Sequence, residues 1–275
     1  MNKISAVICV KNGEETIERA LKSLVKNNPF EIIVVDGNSS DRTPEIARNY
    51  ADKIISDNGN GLGYARQIGA ENASQDYIAY IDSDTELPNE NVLSNMLNEL
   101  LNNNWVAIHA QLADPRDDKT YWEQGEDFHL QNTFNKAEEK QYIGTIVCLI
   151  RRDIILKYKF DSFFEGAAED AEFYSRLKKD GYKFGVATTT AYHYHRSSFR
   201  NFVKQRIWYG KGNARGIIKH KAYLLFLTPL GIFLYGIMIS LRNLRPKMIP
   251  FYFVWMICLY YGTFRGLIEV KTQKN

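Results

Sequence analysis

The first hundred residues alternate short apolar runs with segments in which apolar residues recur at helical spacing. Runs rich in valine and isoleucine predict buried strands over residues 3–10, 31–35, 53–56 and 77–81. Strands that alternate with amphipathic helices are typical of a mostly parallel sheet with helices on both faces. The pattern therefore predicts an α/β domain.

The pattern is less regular between residues 92 and 195. Residues 114–140 are polar and aromatic, and their pattern predicts no element. Gly181 follows a helical segment and is expected to end it. The elements expected in this part are a helix, two strands, a second helix and two extended segments, over residues 92–100, 105–112, 142–150, 169–179, 183–187 and 190–195.

Two uncharged, aromatic-rich runs follow, over residues 223–241 and 248–264. As helices they would be roughly 28 Å and 25 Å long, close to the thickness of a bilayer core. They predict a membrane hairpin that either spans the bilayer or lies in its plane, with two core helices of a soluble domain as the alternative. More cations precede the hairpin than lie in its loop, which favours a cytoplasmic location for the rest of the chain.

These changes in composition predict four parts. Residues 1–198 are expected to form the α/β domain, 199–222 a basic interfacial segment, 223–268 the membrane hairpin and 269–275 a polar tail. A net charge of +3 on 275 residues gives no reason to expect nucleic acid as a partner. The three cysteines form no paired motif, which indicates reduced thiols in the cytoplasm.

Two carboxylates, Asp82 and Asp84, directly follow the predicted strand 77–81. Ligands of open α/β sheets bind beyond the carboxyl ends of the strands, and hard divalent cations prefer oxygen donors. The pair therefore predicts a site for a metal and a diphosphate, with an ordinary solvated turn as the alternative. A cation at this place would neutralise charge on a departing diphosphate.

Several segments in order along the chain resemble family 2 glycosyltransferases. They are residues 8–17, 32–43, 63–70 and 77–84, with Glu169-Asp170 and its following helix further on. The resemblance implies a GT-A fold, a Rossmann-like sheet followed here by C-terminal amphipathic and transmembrane or re-entrant helices. It also implies a UDP- or GDP-linked sugar donor, Mg²⁺ or Mn²⁺ as cofactor, and inversion at the anomeric carbon.

The resemblance also assigns residues to the donor site. Asn12 and Asp36 are expected to contact the nucleotide, Asp82 to face the ribose or sugar, and Asp84 to bind both donor and metal. Arg66 is expected to meet a phosphate or stabilise its loop, with a plain surface arginine as the alternative.

Asp170 resembles the general base of the family, with Glu169 beside it. Single-step inversion needs a base that removes the proton of the acceptor hydroxyl as it attacks. The alternative is an acidic first helical turn stabilised by the helix dipole. His193 and His195 would share one face of a strand, and either is expected to complete the metal site, with a polar rim as the alternative.

The basic segment before the hairpin contains Lys204, Arg206 and Trp208, which are expected to bind an acceptor or lipid phosphate. The alternative is a basic helix that rests on anionic lipid. Taken together, the sequence predicts a membrane-bound, metal-dependent, inverting glycosyltransferase that acts on a hydroxyl of a lipid-linked or other membrane-bound saccharide. The alternatives are a synthase that glycosylates a polyprenyl phosphate and a catalytically silent membrane scaffold.

Overall fold

The computed structural model describes residues 3–164, 166–195 and 198–272. The chain divides into two compact units. The first comprises Met1–Pro115, Thr133–Glu165 and Glu169–Tyr194, and the second comprises Arg116–Asn132, Gly166–Ala168 and His195–Asn275.

This division differs from the predicted boundary at residue 198. Residues 116–132 and 166–168 were expected in the catalytic domain, but they group with the C-terminal residues. The expected polar tail from residue 269 continues the last helix as far as Thr272, and residues 273–275 lie outside the described residues. The finer separation of 199–222 from 223–268 stays a prediction.

The first unit is built on one sheet. Its strands in chain order are β1 (Ile4–Val10), β2 (Glu31–Asp36), β3 (Lys53–Ser56), β4 (Tyr77–Ile81), β5 (Thr85–Glu86), β6 (Ala107–Ala113), β7 (Val147–Arg151) and β8 (Phe184–His193). Within the described residues the spatial order is β3-β2-β1-β4-β7-β6-β8-β5. The first four strands of this order are parallel, whereas β7 pairs antiparallel with both of its neighbours.

The helices of the first unit connect these strands. They are α1 (Ile17–Lys26), α2 (Thr43–Ala47), α3 (Leu62–Asn72), α4 (Val92–Asn102), α6 (Arg152–Tyr158) and α7 (Glu169–Lys179). The helix α3 packs on β1 and β2, and α4 packs on β6 and β8. The continuous apolar strands β1, β2 and β4 are buried, as the runs of valine and isoleucine predict for a sheet covered on both faces.

Three expected segments have different limits in the structure. The predicted strand 142–150 begins only at Val147, because residues 142–146 form an irregular loop. The predicted extended segments 183–187 and 190–195 are one strand, β8, which pairs with β6 through an irregularity in register between His109 and Gln111.

The second unit consists of α5 (Tyr121–Thr133, whose last residue belongs to the first unit), α8 (Phe199–His220), α9 (Thr228–Arg242) and α10 (Ile249–Thr272). Two 3₁₀ turns, Tyr223–Leu227 and Pro246–Met248, precede α9 and α10. Phe128, Phe202, Phe251 and Trp255 belong to its aromatic core. Within the described residues, the stretches 223–242 and 246–270 are long and apolar enough to cross a membrane.

Candidate active site

The acidic motif lies at the carboxyl end of β4, in a turn closed by a hydrogen bond from the Thr85 amide to the Asp82 carbonyl. The short strand β5 follows and pairs antiparallel with the end of β8, where Thr85 lies opposite His193. This pairing places His193 Nε2 3.5 Å from Asp84 Oδ1. Residues 109 positions apart in the sequence thus meet at one edge of the sheet.

Asp84 and His193 supply one carboxylate and one imidazole. Within residues 3–164, 166–195 and 198–272, no group of three or more His, Cys, Asp or Glu side chains is placed to hold a metal by itself. Carboxylate and imidazole suit Mn²⁺, and a cation held by few protein ligands takes the others from water and substrate phosphates. The donor pair therefore fits a cation that arrives with a diphosphate.

Burial and neighbouring charges shift the pKa values of His193 and Asp82. Burial lowers the pKa of His193, but the Asp84 and Asp82 carboxylates raise it more, so that it lies above its ordinary value. Burial raises the pKa of Asp82 to about 7, against the opposing effect of Arg66.

His195 lies in different surroundings from His193. The strand β8 ends at His193, so the expectation that both rings share one strand face is wrong. His195 belongs to the second unit, where its Nε2 lies 3.5 Å from Asp127 Oδ1 and its carbonyl accepts a hydrogen bond from Arg116. His193 is therefore the histidine that the structure places beside the acidic motif.

Arg66 joins the two acidic motifs of the first unit. Its guanidinium is hydrogen-bonded to Glu169 and lies 3.7 Å from Asp82 Oδ1. The residue is only 4% exposed, so the alternative of a plain surface arginine is wrong. Because 103 residues separate Arg66 from Glu169, the sequence alone gives no sign of this pair.

Burial acts on the pKa of both members of this ion pair. Burial raises the pKa of Glu169, and the Arg66 guanidinium opposes that rise and favours the carboxylate. For Arg66, burial acts to lower the pKa, whereas Glu169 and Asp82 raise it above its ordinary value. Arg66 therefore stays charged, and Glu169 serves as its buried partner.

Asp170 is more accessible than Glu169, although the two are adjacent at the start of α7. Its Oδ2 accepts a hydrogen bond of 3.0 Å from the Tyr142 hydroxyl, and its Oδ1 accepts one of 2.7 Å from the Ala171 amide. A β-carbon placed on Gly144 would lie 3.9 Å from Asp170 Oδ2, so the loop 142–146 passes directly beside this carboxylate.

Sequence reasoning missed both Tyr142 and His109 at this place. His109 is fully buried; its Nδ1 donates to the Ala110 carbonyl at 2.5 Å and its Nε2 accepts from the Val147 amide at 3.4 Å. Burial lowers its pKa to about 4, which keeps the ring neutral. Neither residue belongs to a spaced motif, and Tyr142 fell within a predicted strand.

Asn12 and Asp36 lie in the loops after β1 and β2. The Asn12 side-chain oxygen accepts a hydrogen bond of 2.9 Å from the Ser40 backbone amide, and the Asn12 backbone amide donates to Ser39 Oγ at 2.8 Å. Asp36 accepts one of 3.2 Å from the Ser39 amide. These bonds fix the loop at the carboxyl edge of the parallel strands, and the expected nucleotide contacts stay a prediction.

The predicted phosphate-binding residues of α8 differ in exposure. Arg206 is 2% exposed, is paired with Glu126 and lies 3.8 Å from the centre of the Trp255 ring. Burial lowers its pKa to about 10. The expectation that Arg206 presents its charge to a lipid phosphate is therefore wrong, whereas Lys204 and Trp208 are exposed and their role stays a prediction.

Comparison with known sequences gives one family and several relatives. The model described as glycosyl transferase family 2 matches residues 5–159. The 4,4'-diaponeurosporenoate glycosyltransferase of Staphylococcus haemolyticus is 39% identical over 98 residues, which are 33% of this chain and 26% of that protein. The dolichyl N-acetyl-alpha-D-glucosaminyl phosphate 3-beta-D-2,3-diacetamido-2,3-dideoxy-beta-D-glucuronosyltransferase of Methanococcus voltae is 25% identical over 328 residues, with 98% of both chains covered.

A solved structure shows the same fold. The mannosyltransferase PcManGT from Pyrobaculum calidifontis, in complex with GDP-Man and Mn²⁺, superposes with a TM-score of 0.69 and 15% identity, over 95% of this chain and 87% of that one. The predicted GT-A fold class is thereby confirmed, with a sheet that is mixed beyond β4.

Proposed function

Because this chain belongs to glycosyltransferase family 2, we propose that it is a metal-dependent, inverting enzyme that moves a sugar from a nucleotide to an acceptor hydroxyl. The observation that carries the proposal is the position of Arg66, which contacts Asp82 of the acidic motif and Glu169 of the second motif. The residues proposed for the nucleotide sugar and for the proton acceptor would thus be parts of one site.

Asp84 and His193 are the residues that would hold Mn²⁺ or Mg²⁺. When bound, the cation would stabilise the negative charge that develops on the nucleoside diphosphate as it leaves. The mannosyltransferase of the same fold was solved with GDP-Man and Mn²⁺, which supports a divalent cation and a nucleotide-sugar donor here.

Asp170 is the residue proposed to remove the acceptor's proton. Its neighbour Glu169 is buried against Arg66, whereas Asp170 is accessible and is oriented by Tyr142 and the Ala171 amide. A base must reach the attacking hydroxyl, so only the accessible carboxylate of the two can serve. Glu169 then acts as a positioning residue that fixes the start of α7.

The acceptor is proposed to be a lipid-linked or other membrane-bound saccharide. The Methanococcus voltae relative is named for a dolichyl-linked sugar phosphate, and the apolar stretches 223–242 and 246–270 suit a location at a membrane. We place the enzyme at the cell membrane with its catalytic unit in the cytoplasm, where nucleotide sugars are made.

A donor panel tests this proposal. Full-length protein is heated with UDP-, GDP- and dTDP-sugars, with Mn²⁺ or with EDTA, since a ligand of the folded state raises the apparent stability. One donor class should raise the melting temperature in Mn²⁺ only, and should be consumed when a lipid-linked saccharide is added. Turnover on a polyprenyl monophosphate but on no hydroxyl acceptor would contradict the proposal and favour the alternative synthase.

Replacing Tyr142 by Phe should lower kcat for sugar transfer about 3- to 30-fold and leave KM for the donor unchanged. The variant loses one hydrogen bond to a charged group, and that bond orients Asp170 without touching the nucleotide loops. Initial rates at varied donor concentration check this expectation.

The matched control is Tyr50→Phe, which removes an equivalent hydrogen bond from a tyrosine to Glu18, on α1. The control should keep the kcat of the unmodified protein. Equal kcat in both variants would remove Tyr142 from its positioning role.

A further inference from the structure

The turn between α9 and α10 is held by α5, within the second unit. At one end of α5 the Tyr121 hydroxyl donates to the Lys247 carbonyl at 2.8 Å. At the other end Asn243 Nδ2 donates to Asn132 Oδ1 at 2.9 Å. Between these two bonds, Met248 packs in the same apolar cluster as Phe128. The turn therefore contacts α5 along most of its length.

α5 is a polar helix. The chain leaves the first unit to form it and then returns to the first unit. Thirteen residues span about 20 Å as a helix. It carries Glu123, Glu126 and Asp127, and the segment before it is charged at residues 116–119. Pro115 and Thr133, on either side of the second-unit segment, already belong to the first unit.

This connection limits how the hairpin can meet a membrane. If α9 and α10 crossed a bilayer, their turn would lie on the side opposite to the catalytic unit. Because α5 contacts this turn, α5 would then lie on the same far side of the membrane. The charged chain that connects α5 to the first unit would have to cross the hydrocarbon core twice. Charged side chains and unpaired backbone are costly in the bilayer core, so this arrangement is excluded.

The packing of α10 on α8 adds a second constraint. Gly210 and Gly262 let the two helices approach so closely that a β-carbon on either would overlap the backbone of the other helix. Two turns along, Lys211 Nζ lies 2.8 Å from Glu269 Oε2. One face of the apolar stretch 246–270 is thus covered by a basic helix, not by lipid.

The remaining faces of the hairpin are apolar and exposed. Leu230, Leu234, Met238 and Leu241 recur at helical spacing along α9, and Phe253, Ile257, Tyr261, Phe264 and Ile268 do so along α10. In the turn, Leu244 is 89% exposed between the exposed cations Arg242, Arg245 and Lys247. Apolar stripes next to cations are typical of helices that lie in the headgroup region of anionic membranes.

We propose that the C-terminal unit is monotopic: α9 and α10 lie within one leaflet of an anionic membrane, and their turn stays on the side of the catalytic unit. This attachment is independent of the proposed chemistry. It differs from a membrane-spanning hairpin, which the length and composition of the two apolar stretches alone would allow.

Cysteine labelling tests the topology. Lys247→Cys reports on the turn and Lys26→Cys, at the end of α1, reports on the catalytic unit; both lysines are exposed. A membrane-impermeant maleimide is applied to intact spheroplasts and to inverted vesicles from the same cells, with the unmodified protein as the background for its three native cysteines. Both cysteines should be labelled in the same preparation. Labelling of the two in opposite preparations would overturn the proposal.

Vesicle flotation tests the lipid partner. Purified protein is mixed with phosphatidylcholine vesicles with and without phosphatidylglycerol. Leu234→Asn with Met238→Asn should weaken binding to the anionic vesicles at least about tenfold, because two side chains leave the apolar stripe. The matched control, Val25→Asn with Leu101→Asn, changes two exposed apolar residues of the first unit and should bind as before.

Two results of this experiment would overturn the proposal. One is equal binding of both double variants to anionic vesicles. The other is a dimer in solution that the α9 substitutions dissociate without any effect on flotation, because the stripe would then belong to an interface between copies of the chain.

Discussion

Replacing Asp170 by Asn should lower the rate of sugar transfer by about 100- to 10,000-fold and leave Mn²⁺-dependent donor binding intact. The amide keeps the size of the side chain but cannot take the proton of the acceptor hydroxyl. The amide oxygen can keep the hydrogen bond from the Ala171 amide, and the new NH2 group can donate to the Tyr142 hydroxyl oxygen, so the local geometry should change little. Initial rates at saturating donor, together with calorimetric donor binding, measure the two effects separately.

The matched control is Asp153→Asn. Asp153 is an exposed carboxylate of the same unit whose partner is Arg151, and its loss should leave transfer unchanged. Turnover by Asp170→Asn within a factor of three of the unmodified enzyme would show that another group accepts the proton.

Replacing Arg66 by Met should lower the free energy of unfolding of the catalytic unit by about 3–5 kcal/mol. The change leaves Glu169, which is 3% exposed, without its guanidinium partner, and removes the neighbouring cation from Asp82. Breaking a buried ion pair by removing one partner is strongly destabilising for this reason. Urea unfolding of the full chain, followed by tryptophan fluorescence, measures the loss.

A double variant distinguishes the ion pair from simple loss of packing. Arg66→Met with Glu169→Gln should recover much of the lost stability, since no carboxylate is then left uncompensated. The matched control, Arg151→Met, breaks an exposed pair with Asp153 and should cost less than about 1 kcal/mol. If the double variant were as unstable as the sum of its single changes, the ion pair would not be the cause.

The sequence alone was sufficient to predict the parallel half of the sheet, which consists of β1 to β4. Strands β1, β2 and β4 are buried on both faces, so they read as continuous apolar runs rich in valine and isoleucine, and loops rich in glycine and asparagine mark their ends. The resemblance to family 2 rests on motifs in these same loops. The local apolar pattern and the resemblance to the family therefore indicated the same fold.

Contacts between residues far apart in the sequence could not be predicted from local patterns. Whether Arg66 meets solvent or Glu169 depends on how α3 and α7 pack, and no local pattern of α3 contains that information. The same holds for Arg206, whose position among basic residues suggested an exposed charge although it pairs with Glu126 of α5. α5 itself has mixed polar and apolar residues without a clear period, because it faces the buried cation Arg206 as well as aromatic rings.

The two histidines show the limit of spacing arguments. Positions two apart share a face only while the strand continues, and β8 ends at His193. His193 then meets Asp84, while His195 meets Asp127. The end of a strand is the feature that sequence patterns define least well.

Calorimetric donor binding with Mn²⁺ and with EDTA tests the central claim most directly, in the unmodified protein and in the variants Asp84→Ala, His193→Ala and His195→Ala. The donor selected in the panel should bind at least about 100-fold more tightly in Mn²⁺ than in EDTA. Asp84→Ala and His193→Ala should lose this difference, whereas His195→Ala should keep it. Equal affinity with and without the cation, or an unchanged difference in Asp84→Ala, would contradict the account.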